Sequence, residues 1–324
     1  TTLFRSDPGL VAEHANGERR ITQGGYGDRQ LFELVQNAAD EMADEPGGRI
    51  HAVLTQTHLY CANEGNPVTP EGAETILRMS MSKKRGGQIG RFGVGVKSVL
   101  VVTDTPQFFS RTGSFGFDRA WSYEKIKAVP GVTARYGEDF PAPVLRMARP
   151  LDMQAERAAD PVLDELLTWA TTVVRLPLLH GADDRLGHDM HGSRAKDHGE
   201  RREEFPIGFQ LFSPHVGTVV LEDRRPRPAV RRVLTAQRSG DLHTVVEERN
   251  DKAGSTVSWR VFTVTHEPGP AARADAGELH DRIALDLSWG VPSLQKDPDT
   301  GLYVSPRSRG RGTFWSFFPT KYEM

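Results

Sequence analysis

The sequence predicts an α/β protein, and three consecutive segments carry that prediction. A helical segment, an extended segment that ends in a turn, and a glycine-rich segment follow one another: QLFELVQNAADEM, HLYCANEGNPVTPEG and GGQIGRFGVGVKSVLVV. Short apolar runs of strand length, separated by polar turns, continue after residue 205. Helical and extended periodicities that alternate along one chain are typical of an α/β fold.

The helical segment carries a polar stripe on an otherwise apolar surface. Glu33, Asn37 and Asp40 fall at positions i, i+4 and i+7, so a helix places them on one face. The remaining positions are mostly apolar: Leu31, Phe32, Leu34, Val35, Ala38, Ala39 and Met42. A helix that is apolar nearly all round is buried, and its polar groups then need partners. A bound metal and a polarised water would supply them. The alternative is a capped surface helix with a solvated acidic face.

The extended segment stops at a sharp turn. An apolar run through residues 59–61 is followed by Asn63, Gly65, Asn66 and Pro67. Turns of this composition let the backbone approach a ligand closely. Cys61, at the end of the run, is the chain's one cysteine, and we interpret it as a buried structural thiol rather than a nucleophile.

The glycine-rich segment leads directly into an apolar stretch that predicts a helix. Its glycines are Gly86, Gly87, Gly90, Gly93 and Gly95. Lys97 and Ser98 would lie in the first helical turn. Free backbone N–H groups and the positive end of the helix dipole favour phosphate at such a position. The spacing matches neither a Walker A loop nor a Rossmann fingerprint.

Taken together, the order and spacing of these segments resemble a known superfamily. The matching stretches are GGYGDRQLFELVQNAADE, NEGNPVTPEG and SMSKKRGGQIGRFGVGVKS. They resemble the gyrase, heat-shock chaperone, histidine kinase and mismatch-repair (GHKL) ATPases, and within them the sacsin-like subgroup. The resemblance implies a Bergerat-type two-layer α/β sandwich, in which helices cover a mixed sheet, with ATP and Mg²⁺ as cofactors.

The resemblance also implies roles for individual residues. Glu33 matches the catalytic glutamate that activates the attacking water, and Asn37 matches the asparagine that coordinates magnesium. Asp40 would support the site from one turn further on. The second glycine box, which surrounds the triphosphate, corresponds to Gly86 to Gly95, and the phosphate-binding residues expected from it and the following turn are Gly90, Arg91, Phe92, Gly93, Val94, Gly95, Lys97 and Ser98.

A mobile ATP lid is implied at residues 80–85. Within it Ser82, Lys83 and Lys84 are the residues expected to bind the nucleotide, and Arg85 adds a third adjacent cation. We expect these cations to neutralise the phosphate charge. The alternative is that they lie in a solvated loop.

The chain departs from the family pattern in the first glycine box. Asn63 stands where the family usually has an aspartate that accepts a hydrogen bond from the adenine amino group, and Gly65 follows it. A neutral acceptor forms a weaker bond than a charged one, so lower affinity or altered base selectivity is expected. Thr172, in the strand-like TTVVRLPL, matches a threonine at the back of the adenine pocket. An ordinary strand threonine is the alternative.

The chain divides into four predicted regions. Residues 1–28 form a lead segment, 29–180 the ATP-binding domain, 181–204 a polar linker or loop, and 205–324 a second α/β domain that resembles a transducer or middle domain. In the lead and just after it, Tyr26 and Arg29 are candidates for contact with the nucleotide. Within residues 151–170 a helical pattern is interrupted at Pro161. The resemblance implies that a basic residue of the second domain reaches the γ-phosphate, and Arg309, Arg311 and Lys321 are candidates.

Two other features suggest a function, but the evidence for each is weaker. The linker holds His188, His191 and His198, but no cysteine and no second ligand pair accompany them, so neither a zinc site nor a phosphoacceptor is predicted. Basic clusters at residues 224–232 and 305–312 are interpreted as solvated loops, with a nucleic-acid patch as the alternative.

Composition limits the class of protein. The chain has 324 residues, a formal net charge of −2 and a pI near 6.6, which gives no overall reason to expect nucleic-acid or membrane binding. One cysteine excludes an intrachain disulfide and favours a reducing, cytoplasmic location. No secretory signal and no apolar run of spanning length is evident.

The functional expectation is Mg-dependent ATP binding and slow hydrolysis that drives a conformational switch. The module would belong to a larger chaperone-like or bacterial antiviral-defence protein, with a homodimer in the ATP-bound state and a protein partner or further domains. One alternative is a DNA-handling ATPase like the mismatch-repair or MORC proteins. Another is a module that senses ATP without hydrolysing it.

Overall fold

The structure, a computed structural model, is an α/β arrangement built around a mixed sheet. It describes residues 2–23, 29–42, 47–77, 96–192, 204–275 and 283–293, together with the backbone of short strands between residues 295 and 323. The helices are α1 (Thr2–Ser6), α2 (Leu10–Gln23), α3 (Gln30–Asp40), α4 (Pro70–Leu77), α5 (Arg119–Lys127), α6 (Val132–Tyr136), α7 (Met153–Ala159), α8 (Pro161–Leu167), α9 (Ala182–His191) and α10 (Pro270–Asp275), with 3₁₀ helices at Val96–Val101 and Ile207–Leu211.

The strands belong to one large sheet and two short hairpins. The large sheet contains β1 (Gly48–Leu54), β2 (His58–Asn63), β3 (Gln107–Ser110), β4 (Gly113–Gly116), β5 (Arg149–Pro150), β6 (Thr172–Pro177), β7 (Val216–Asp223), β8 (Val230–Ser239), β9 (Leu242–Arg249), β10 (Lys252–His266) and β11 (Leu285–Pro292). The hairpins are β12 (Gln295–Lys296) with β13 (Tyr303–Val304), and β14 (Thr313–Ser316) with β15 (Phe318–Glu323).

The order of the strands places β1 and β2 in the middle of the sheet. Across the sheet the order is β11-β10-β9-β8-β7-β1-β2-β6-β3-β4-β5. The strands β1 and β7 pair in parallel, and the neighbouring pairs β1–β2 and β2–β6 are antiparallel. The sheet is therefore mixed, as expected from the sequence.

The two faces of the sheet are covered by different helices, because side chains alternate along each strand. One core contains Leu34 of α3, Leu59 and Cys61 of β2, Leu176 of β6 and Met190 of α9. The other core lies on the opposite face, where Tyr60, Ala62 and Val173 pack against Leu163 and Leu166 of α8. We refer to these as the α3 face and the α8 face.

Residues around Pro161 form the interrupted helix that the sequence predicts. Helix α7 ends at Ala159, and Pro161 begins α8, where its missing N–H costs no helical hydrogen bond. The Asp160 carboxylate accepts hydrogen bonds from the N–H groups of Val162 and Leu163 at 3.1 and 3.0 Å, which caps the new helix.

The expectation of a loop over residues 181–204 needs correction. Helix α9 occupies most of the first half of this stretch, and residues 193–203 lie outside the described part of the chain. Leu186 and Met190 are fully buried on the α3 face, although they are the segment's few large apolar side chains. Because they stand four residues apart, they fall on one side of the helix and are sufficient to dock it.

Residues 205–292 continue the same sheet. Strand β1, in the predicted ATP-binding domain, pairs with β7 along the whole length of both strands. Phe205, Phe209 and Val219 also share the α3-face core with Leu34. These described strands are thus built onto the first region, while the assignment of residues 205–324 as a separate domain stays a prediction.

None of the helices in the described ranges combines the length and the apolar composition needed to cross a bilayer.

Candidate functional site

Helix α3 is a core helix, as its apolar surface predicts. Leu31, Val35 and Ala39 are completely shielded from solvent. Asp40 of the polar stripe is only 2% exposed, and Glu33 and Asn37 are half-buried. No side chain caps the N-terminus of the helix, which begins after Arg29. The stripe therefore does not form the solvated face of a capped surface helix.

Asp40 faces the start of β7 rather than open solvent. Burial lowers the pKa of His215, which immediately precedes β7, while the nearby Asp40 carboxylate and a hydrogen bond with the Ala39 backbone act in the opposite direction. The end of α3 is therefore in electrostatic contact with the adjoining strand.

The turn predicted after β2 is attached to the C-terminal end of α3. The N–H group of Asn66 donates to the carbonyl oxygen of Glu41 at 2.7 Å. A Cβ atom at Gly65 would lie 2.4 Å from the same carbonyl oxygen, so this position has room for glycine only. The sequence predicts that this glycine lets the backbone approach a ligand. In the structure, the close approach at Gly65 is to the C-terminal end of α3.

Asn63 and Thr172, assigned to the adenine pocket by resemblance, are direct neighbours across the sheet. They are paired residues of β2 and β6, and their alternation with Cys61 and Leu176 places both on the α3 face. The Thr172 hydroxyl donates to the Ser110 hydroxyl oxygen at 3.2 Å, and all three side chains are buried. Within the described ranges, Nδ2 of Asn63 is buried and has no hydrogen-bond partner.

The 3₁₀ helix at Val96–Val101 is attached to the other end of α3. It occupies the place of the helix predicted after the glycine-rich loop. The Nε2 atom of Gln30, the first residue of α3, donates to the Ser98 carbonyl oxygen at 3.3 Å, and the Gln30 side-chain oxygen accepts from Arg185 of α9. Three motifs that are separate in sequence thus meet on α3.

Lys97 and Ser98 are buried within this 3₁₀ helix. Only 1% of Lys97 is exposed, and Ser98 is fully covered. Burial, followed by the nearby Arg146, lowers the pKa of Lys97 to about 8, and Glu18 opposes both effects. Lys97 is therefore an amine whose charge depends on its surroundings.

Several predicted residues lie outside the described part of the chain. They are the lid and glycine-box residues Ser80, Met81, Ser82, Lys83, Lys84, Arg85, Gly86, Gly87, Gly90, Arg91, Phe92, Gly93, Val94 and Gly95, together with Tyr26, His198, Arg309 and Arg311. Lys321 lies in β15, of which only the backbone is described. Their predicted roles stay predictions.

The basic cluster at residues 224–232 begins with a loop between β7 and β8 that is exposed at residues 226–228, as the solvated-loop interpretation expects, but three of its arginines are held by contacts within the fold. Arg232 is 1% exposed, and its Nε donates to Glu247 at 2.8 Å. Arg224 donates through both Nη atoms to the carboxylate of Glu165 at 2.8 Å each. Arg225 similarly binds Asp223 at 2.8 Å. These guanidinium groups are used within the fold.

The structure also shows the surroundings of His191 and Cys61, two residues considered in the sequence analysis. His191 of α9 contacts the buried carboxylate of Asp223 through Nε2 at 2.9 Å. Cys61 is 2% exposed, and burial raises the pKa of its thiol to about 12. The thiol is thus an inert core group, as predicted.

Sequence reasoning missed three polar residues close to these motifs. Ser110 joins Thr172 to the N–H group of Val68, to which its hydroxyl oxygen is 3.0 Å distant. Glu18 of α2 and Arg146 are buried or half-buried near Lys97. No local motif marks any of them, because each is brought in from a distant part of the chain.

Comparison with known proteins gives a limited relationship. No protein-family profile matches the chain. A stretch of 91 residues, 27% of this chain, is 34% identical to Protein NO VEIN of Arabidopsis thaliana. That stretch covers 3% of the plant protein, so the chain corresponds to a small part of its length.

Proposed function

We propose that the chain binds Mg·ATP on the α3 face and hydrolyses it slowly, as a GHKL-type ATPase of Bergerat fold. The observation that carries the proposal is the convergence of the three motifs on α3. The turn contacts its C-terminal end through Glu41, and the 3₁₀ helix after the glycine-rich segment contacts its N-terminal end through Gln30. The helix between them presents Glu33 and Asn37 half-buried.

The residues on the α3 face suit an adenine nucleotide. The Asn63 amide has a buried Nδ2 with no partner among the described residues, which is costly unless another group, such as a ligand, supplies one. The amide can donate to a ring nitrogen and accept from an exocyclic amine. The neighbouring Thr172 adds a hydroxyl on the same face. Adenine presents the complementary donors and acceptors.

The residues also suit a magnesium-bound triphosphate. Asn37 would hold the metal through its side-chain oxygen, and oxygen ligands are those that Mg²⁺ prefers. Bound magnesium would neutralise phosphate charge. Lys97 and Ser98 would bind the phosphates together with residues 90–95, and Glu33 would orient and deprotonate the attacking water.

We further propose that this module acts within a larger chaperone-like or defence protein, where slow turnover switches a conformation and a homodimer forms in the ATP-bound state. The partial relationship to a very long protein supports a modular role. The DNA-handling alternative loses support, because Arg224, Arg225 and Arg232 of the basic cluster form internal ion pairs.

The test is Mg·ATP affinity by calorimetry and ATP turnover for wild type, Glu33→Ala and Asn37→Ala. Glu33→Ala should bind Mg·ATP normally and lose turnover about a hundredfold or more, because a general base contributes that much. Asn37→Ala should lose the Mg-dependent part of the affinity. Glu13→Ala, at an exposed glutamate of α2, is the matched control and should behave as wild type.

Three outcomes would change this conclusion. Equal turnover by wild type and Glu33→Ala would refute the assigned catalytic role. Tight Mg·ATP binding by the wild-type protein without turnover would identify an ATP sensor. A wild-type protein that does not bind Mg·ATP would refute the proposal as a whole.

A further inference from the structure

A cavity of about 550 Å³ opens at the end of the sheet where β2 and β3 end and where β1 and β6 begin. Its size is within the range of small-molecule sites. The described residues of its wall include Glu64, Pro67, Arg111, Trp169 and Thr171. The cavity shares the turn at residues 64–67 with the proposed nucleotide site, but Asn63, Thr172 and the residues of α3 are not among the described residues that line it. It is therefore a candidate for a second site.

Glu64 is held in the wall of the cavity by its neighbours on β1 and before β6. Its N–H group donates to the Arg49 carbonyl oxygen at 3.3 Å, and its Oε2 atom accepts from the Arg49 N–H group at 2.8 Å. The Thr171 hydroxyl donates to the Glu64 carbonyl oxygen at 3.1 Å. These contacts fix the side chain through one of its two carboxylate oxygens. The Oε1 atom, which forms no hydrogen bond with the described residues, can accept one from a ligand without disturbing the turn.

Arg111 supplies the opposite charge. Its backbone N–H group donates to the Thr171 carbonyl oxygen at 3.2 Å, which attaches the residue after β3 to the start of β6. Its side chain is exposed and forms no ion pair or hydrogen bond with the described residues. Arg111 and Glu64 thus line one cavity without pairing with each other.

The two charges together select the kind of ligand. A simple anion that binds Arg111 meets the negative charge of Glu64, and a simple cation that binds Glu64 meets the positive charge of Arg111. A ligand that carries one charge of each sign satisfies both groups. A guanidinium binds a carboxylate through two parallel N–H donors, and a carboxylate oxygen binds an ammonium group.

The apolar part of the wall is formed by Trp169 and Pro67. The central guanidinium carbon of Arg49 lies 3.6 Å from the centroid of the Trp169 ring, and this stacking fixes the ring. Trp169 is only partly buried, so the ring offers apolar surface to a ligand. Aromatic groups pair well with such a ring.

We propose that this cavity binds a free amino acid with a large apolar side chain. Arg111 binds its carboxylate, the Oε1 atom of Glu64 binds its ammonium group, and the side chain packs beside Trp169 and Pro67. The inference is independent of the proposed ATP function, because it uses other side chains and a different kind of ligand.

The first test compares three ligands on the wild-type protein by calorimetry. They are L-phenylalanine, N-acetyl-L-phenylalanine, which lacks the ammonium group, and L-phenylalaninamide, which lacks the carboxylate. Each derivative should bind about tenfold or more weakly than phenylalanine, because each loses a hydrogen bond between charged groups. If both derivatives bind as tightly as phenylalanine, the two charges are not recognised and the proposal is overturned.

The second test assigns each charge to its residue. Arg111→Gln should bind phenylalanine about tenfold more weakly and should no longer distinguish it from phenylalaninamide. Glu64→Gln keeps an acceptor for the Arg49 N–H group, and it should lose the distinction from N-acetylphenylalanine instead. Arg135→Gln, at an exposed arginine of α6, is the control and should bind all three ligands as wild type.

Three results would overturn the proposal. One is that neither L-phenylalanine nor L-leucine binds the wild-type protein at about 10 mM. Another is that Arg111→Gln, shown by urea unfolding to be folded, distinguishes the three ligands as wild type does. The third is competitive displacement of phenylalanine by Mg·ATP, which would make the cavity part of the nucleotide site. Phenylalanine binding by a protein that does not bind Mg·ATP would support this site and refute the ATP function alone.

Discussion

The two faces of strands β2 and β6 treat buried polar groups in opposite ways. On the α8 face, the Tyr60 hydroxyl donates to Asp160 at 2.9 Å, and Arg175 donates to Asp160 at 2.8 Å and to Gln107 at 2.6 Å. On the α3 face, Nδ2 of Asn63 is buried without a partner among the described residues. The polar groups on the first face bind one another, and we propose that a ligand completes the second face.

The difference separates polar groups that bind one another from an amide that we propose binds a ligand. Asp160 binds Tyr60 and Arg175 and also caps α8, so it attaches the helix layer to the sheet. Burial alone does not identify a site, because Arg175 and Asn63 are both buried.

The largest expected effect comes from breaking the closed network. Arg175→Met removes the partner of Asp160 and Glu156 and leaves both carboxylates near the apolar core. We expect the free energy of unfolding to fall by about 3–5 kcal/mol, because a buried charge loses its partner. Urea unfolding measures this change.

The matched control for Arg175→Met is Arg157→Met, whose partner Asp164 is half exposed. A surface ion pair of this kind contributes about 0–1 kcal/mol. Mg·ATP affinity should be the same in both variants. A loss of nucleotide affinity in Arg175→Met, with the protein still folded, would show that the two faces are not independent.

A smaller effect is expected from acid, again on the α8 face. The hydrogen bond from His51, followed by that from Arg224, lowers the pKa of Glu222 to about 2 from its ordinary value of 4.5. The folded pKa is the depressed one, so this contribution to stability is complete above the unfolded value and disappears as the pH falls towards 2. We expect a loss of roughly 1–3 kcal/mol in the free energy of unfolding.

Urea unfolding at pH 5 and pH 2.5, for wild type and Glu222→Gln, isolates this contribution. The variant should be less stable than wild type at pH 5 and should lose less on acidification. If both proteins lose the same stability on acidification, the contacts with His51 and Arg224 do not lower the pKa of Glu222.

The smallest expected change is on the α3 face, at Asn63. Removing an amide whose Nδ2 is unpaired should alter the free energy of unfolding by less than about 1 kcal/mol. Mg·ATP affinity should fall about three- to tenfold in Asn63→Ala, the equivalent of one hydrogen bond.

Asn63→Asp should strengthen the preference for ATP over GTP, because a charged acceptor binds the adenine amine more strongly. Calorimetry with both nucleotides, alongside urea unfolding, measures these effects. An unchanged ATP affinity in Asn63→Ala would remove Asn63 from the site.

Sequence reasoning identified the local elements well. The apolar surface of α3, the turn at Asn63 to Pro67, the strand at β6 and the break before Pro161 all depend on periodicity or on glycine and proline, which act within a few residues. The resemblance assigned Asn63 and Thr172 separately to an adenine pocket, whereas their pairing became visible only in the register of β2 and β6.

What the sequence did not predict depends on distant contacts. Helix α9 was mistaken for a loop because its composition is polar, yet Leu186 and Met190 on one side are sufficient to dock it. Asp183 also lies in the first turn of the helix, where the helix dipole favours its negative charge. The hydrogen bonds of Glu18 were likewise hidden, because its partners Val144 and Leu145 lie far along the chain.

The parallel pairing of β1 with β7 has a consequence for how this protein is made. On the ribosome, β1 is complete long before residue 216, where its neighbour begins. Until then one side of an apolar strand in the middle of the future sheet presents unpaired backbone groups, a condition that promotes association between chains. We therefore expect folding of the central sheet to wait for β7, and nascent chains that end before it to require a chaperone to stay apart.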